Sequence, residues 1–138
     1  MALFQKLFKT KPAIDTAAVL NQIDYKEGTL FAKDESNKVY VDIEELGGFP
    51  YLKTVIIGTL NVNVKRVGCT VSFIFNKNEI TLESDNTTVA SNEIKKTGIF
   101  YTPIDFELDD DEAQKLKTAK VKEVKFTFKN NTYIFNCV

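Results

Sequence analysis

Histidine is missing from this chain of 138 residues. Its absence removes the commonest general base, metal ligand and neutral-pH switch. A Ser-His-Asp or Cys-His nucleophile arrangement is therefore excluded. Cys69 and Cys137 are the only cysteines. Without histidine they are too few for a four-ligand zinc site, and a single pair makes no disulfide framework. They read as reduced thiols of a cytoplasmic protein. Arg66 is the only arginine, and the formal net charge is −1. Arginine supplies the forked contacts to phosphate and guanine, so no nucleic-acid partner is expected. No glycine-rich phosphate loop occurs either. No apolar run approaches the roughly 18 residues that cross a bilayer. The opening residues lack a continuous apolar segment, so no secretory signal is expected. Ala2 stands where N-myristoylation requires glycine. No enzyme, metal or cofactor is expected from this inventory.

What is present suits one globular domain over residues 1–138. The chain is 43% hydrophobic and 27% charged, far from the composition of disordered chains. From residue 30 onward the apolar pattern has period two, the signature of half-buried strands. "KVYVDI" follows "LFA" across a polar loop, and Gly47, Gly48 and Pro50 mark a turn after it. In "LKTVIIGTLNVNVKRV", Leu60, Val62 and Val64 alternate with Asn61, Asn63 and Lys65, which predicts a long strand. Gly58 inside that run marks a bulge or a close backbone approach. "CTVSFIF" and "EITLES" predict a hairpin, and a short strand is expected around Val89. In "IFYTPIDFEL", Ile104, Phe106 and Leu108 face in and Asp105 and Glu107 face out. Pro103 makes that segment an edge strand or places a bulge there. "VKEVKFTF" and "TYIFNCV" flank "KNN", a tight hairpin with asparagine expected at the positive-φ positions.

Helices are few. Asp15 or Thr16 caps a short one ending near Ile23. Asp109 and Glu112 have the spacing of a capping box, which predicts a helix near residues 109–119. Acids lead that segment and lysines close it, as the helix dipole favours. The acidic run around it is read as a cap and solvated strand residues, since it lacks the glycine of a calcium loop. The lysines over 115–129 are read as a solvated face. The expected fold is mainly β (α+β): an antiparallel β-sandwich or partly open barrel of about 7–8 strands, with short N-terminal helices and one late inserted helix.

One segment stands out. Leu3, Phe4, Leu7 and Phe8 form an apolar stripe at helical spacing over residues 1–11, flanked by Lys6, Lys9 and Lys11. So short a helix does not hold alone in water, so it needs a surface. That surface is the chain's own sheet, a protein partner or second copy, or, as the smallest share, a membrane held peripherally. The first functional expectation is a non-enzymatic protein-binding or adaptor module with residues 1–11 as its interaction element. The alternatives are a carrier of a small apolar ligand within the β-structure and a peripheral membrane protein anchored by that segment.

Overall fold

A computed structural model describes residues 15–138. Asp15 accepts a hydrogen bond from the Ala18 amide at 3.2 Å and so caps α1 (Thr16–Gln22). Eleven strands follow: β1 (Thr29–Lys33), β2 (Asn37–Leu46), β3 (Phe49–Gly58), β4 (Asn63–Val64), β5 (Thr70–Ile74), β6 (Glu79–Glu83), β7 (Val89–Ala90), β8 (Asn92–Glu93), β9 (Phe100–Glu107), β10 (Glu123–Phe128) and β11 (Asn131–Cys137). Helix α2 (Asp110–Thr118) lies between β9 and β10.

Nine strands form one antiparallel sheet in the order β6-β5-β10-β11-β1-β2-β3-β9-β8, and β4 pairs with β7 separately. The large sheet curls into a half-barrel. Residues just beyond β6 reach back to β9, where Ser84 bridges Phe106 and the Asp85 amide donates to the Asp105 carbonyl at 2.7 Å. Eight strands have five residues or more, against the 7–8 expected. The other three have two residues each: β7 falls at the short strand expected around Val89, while β4 and β8 are too short for alternation to set apart.

The longest hairpin is β2–β3, with ten residues in each strand. Gly47 and Gly48 both take positive φ, 60° and 86°, as a two-residue turn matched to strand twist requires. β10 and β11 form the expected hairpin, in which Phe126 pairs with Tyr133 and Val124 with Phe135. The positive φ of its turn falls on Lys129 at 52° rather than on asparagine.

The run after Gly58 differs from expectation. Leu60, Val62 and Val64 are buried while Asn61, Asn63 and Lys65 are exposed, so the alternation is real. Yet only Asn63 and Val64 are strand, and they belong to the small sheet. The chain leaves the main sheet at Gly58, where a side chain would overlap the Ser36 carbonyl and Asn37. Asn37, itself buried, accepts from the Leu60 amide at 2.9 Å and so guides the departing chain.

The concave interior is filled by side chains. Phe73, Phe106, Phe126, Phe128 and Phe135 are fully buried, and Phe126 and Phe135 meet edge to face at 6.1 Å. Ala113 and Leu116 of α2 join this core. The capping box is present: Asp109 accepts from the Glu112 amide at 2.7 Å, and Glu112 accepts from the Asp109 amide at 3.0 Å. A second, smaller core lies on the outer side, where Leu20 of α1 packs with Tyr40, Val55, Ile57 and Ile99. Among the described residues, no helix is long and apolar enough to cross a membrane.

Candidate interaction surface

Strands β2, β3 and β9 are adjacent, and period two sends alternate residues of each to the convex side. Register then sorts those residues into rows. Tyr40, Val55 and Pro103 make one row, and Asp42, Lys53 and Asp105 the next. Glu44, Tyr51 and Glu107 follow, and Leu46 faces Phe49 at the hairpin tip.

Helix α1 and the segment after it cover only one end of this face. Tyr25 stands against Tyr40 and Tyr101, with ring centroids 5.1 Å and 6.1 Å away. Below these tyrosines lies an open groove of about 540 Å³, walled also by Glu27, Asp42, Lys53 and Asp105. Glu44 lines it too, so four carboxylates and one ammonium line the groove. That ammonium is already engaged, since Lys53 pairs with Glu44 at 3.2 Å.

The electrostatics follow from the rows. Lys53 holds the Glu44 carboxyl below its ordinary range, and Glu44 in turn raises the Lys53 ammonium. Asp42 is pushed up, first by burial and then by its like-charged neighbour Glu44. Tyr51 is raised to about 12, by burial first and then by the Asp105 carboxylate beside it. Tyr25 is raised by burial first, then by Tyr101 and Glu27. Tyr25 and Tyr51 are therefore neutral and lie beside the Glu27 and Asp105 carboxylates, so this face joins aromatic surface to negative charge.

The surface continues to the hairpin tip. Phe49 is 75% exposed and Leu46 58%, and a second groove of about 530 Å³ runs from them past Tyr51, Asp85 and Glu107. Opposite chemistry gathers elsewhere. Lys77, Lys115, Lys120 and Lys122 line a shallow groove between the β5–β6 turn and the end of α2.

Other candidates are inert or lie outside view. Cys69 is buried and Cys137 half-buried, both free, and burial raises their thiols to about 12 and about 11. Among the described residues, no group of three or more His, Cys, Asp or Glu side chains could hold a metal ion. The segment read from sequence as the interaction element, with Leu3, Phe4, Lys6, Leu7, Phe8, Lys9 and Lys11, lies outside the described residues. Sequence reading placed Asp105 and Glu107 outward but did not join them to Asp42, Glu44 or the tyrosines. The signal was there in part: Tyr40, Asp42, Glu44 and Leu46 share one parity, as do Phe49, Tyr51, Lys53 and Val55.

No family model, no curated protein and no solved structure matches this chain.

Proposed function

We propose that the chain is a non-enzymatic, cytoplasmic protein-binding module, and that its contact surface is the convex face of β2–β3–β9 with the hairpin tip. The observation that carries this reading is the exposed apolar pair Leu46 and Phe49, continuous with a tyrosine-walled groove. Large apolar side chains exposed beside a groove are what a docking surface needs. The phenylalanines that a ligand cavity would require are packed on one another, which favours a surface over an internal site. Free thiols, one of them buried, suit a reducing compartment. The carboxylates set the partner's chemistry: a basic segment punctuated by apolar residues.

An array of basic and acidic amphipathic peptides, probed with the wild type and with an Asp42→Asn/Asp105→Asn chain, tests this. The wild type is expected to retain basic peptides over acidic ones, and the variant to lose roughly tenfold in affinity. Equal retention of both peptide classes, or an unchanged variant, overturns the reading.

A further inference from the structure

Charges on the convex face and charges before Asp15 are opposite. The groove is walled by Glu27, Asp42, Glu44 and Asp105 against Lys53, and Asp85 and Glu107 extend it to the hairpin tip. The fourteen residues ahead of Asp15 contain Lys6, Lys9 and Lys11 and no acid. They also contain Leu3, Phe4, Leu7 and Phe8, apolar groups of the kind that pack on tyrosine rings and on Leu46 and Phe49. We infer that residues 1–14 dock in cis on the convex face of β2–β3–β9 and occupy the groove that a basic partner would take. This rests on the reading of that face as the contact surface.

The point of attachment permits it. Thr16 packs beside Gly98, and with Ala17 it lines a small cleft with Ser36 and Thr59, so α1 begins at the Gly58 end of β3. From Ile57 to Lys53 is four residues along a strand, about 13 Å. Fourteen residues span about 46 Å when extended, so the segment reaches the groove with chain to spare. Tethering raises the segment's local concentration far above that of a free peptide, so a modest affinity suffices to fill the site. A partner's basic segment must then displace it, which makes residues 1–14 a built-in competitor. The attraction is between partly exposed charges, so it weakens as salt rises.

Paramagnetic broadening tests the docking in the full chain. A nitroxide is attached at Ala2→Cys in a Cys137→Ser background, with the reduced label as the control. The amides of Lys53, Tyr101 and Asp105 are expected to lose most of their signal, and to regain it at high salt or with Asp42→Asn/Asp105→Asn. Broadening that appears only when labelled and observed chains are different molecules overturns cis docking in favour of a second copy. If the label leaves those amides sharp while a synthetic peptide of residues 1–14 shifts them, cis docking fails and the contact surface stands. If neither the label nor the peptide affects them, both fail.

Discussion

The Tyr25 ring stands 5.1 Å from the Tyr40 ring, centroid to centroid, with planes tilted at 55°. One residue belongs to the irregular segment after α1 and the other to β2, so this contact joins the outer layer to the sheet. It also builds the upper wall of the groove. Tyr25→Ala removes this pair and the neighbouring contact with Tyr101. The expected cost is about 1–2 kcal/mol, from the aromatic pairs and the area they cover. Urea unfolding of the two chains measures it, and an unchanged midpoint would detach Tyr25 from the fold.

Core and surface phenylalanines should behave differently. Phe126 is fully buried, so Phe126→Ala is expected to cost about 3–5 kcal/mol. Phe49 is 75% exposed, so Phe49→Ala is expected to stay within about 0.5 kcal/mol of the wild type while weakening peptide binding. Chemical denaturation and the peptide array report these separately. A large loss of stability in Phe49→Ala would make the hairpin tip structural.

Two glycines give a paired backbone test. Gly58→Ala meets the Ser36 carbonyl and Asn37, both backbone-anchored, and is expected to cost about 3 kcal/mol. Gly47→Ala meets nothing within 4 Å, so only its positive φ of 60° opposes it. Its cost is expected to be about 1 kcal/mol. Equal thermal shifts in the two variants would contradict the close approach at Gly58.

The acid row predicts that function and stability part company at Asp42. Burial and Glu44 raise its carboxyl, so the ionised form is disfavoured in the folded state. Neutralising it in Asp42→Asn is expected to leave stability unchanged or raise it by roughly 0.5 kcal/mol or less. The same change is expected to weaken binding of a basic peptide. A destabilised variant in thermal melts would argue that Asp42 serves the fold.

Stability should fall at alkaline pH. Burial raises the Cys69 thiol from 9.0 to about 12 and that of Cys137 from 9.0 to about 11. A group whose folded value lies above its unfolded one stabilises the fold fully below the unfolded value. That contribution is lost as pH rises from 9 toward 12. Melting temperature is expected to decline over that window, and Cys69→Ala to reduce the slope. A flat profile in the wild type would contradict burial of the Cys69 thiol.

Local rules made much of the fold legible. The capping box at Asp109 and Glu112 lies within three residues, and the β10–β11 register follows from one tight turn. Apolar patterning marked every strand of five residues or more, by period two where one face is buried and by the continuous run Val55-Ile56-Ile57 where β3 is buried on both. It misled beyond Gly58, where Leu60, Val62 and Val64 are buried outside the main sheet; alternation reports burial, not hydrogen bonding. The convex face was legible only within single strands. Tyr25, Asp42, Lys53 and Asp105 come from three strands and a connecting segment, and only register brings them together.

The most direct measurement of the central claim is a map of where a basic peptide touches the full chain. Amide proton–nitrogen NMR spectra would be recorded as the tightest peptide from the array is added. The account predicts shifts confined to Tyr25, residues 40–55 and residues 101–107, with the buried amides of β10 unmoved. Shifts centred instead on Lys77, Lys115 and Lys122, or none at saturating peptide, would contradict it.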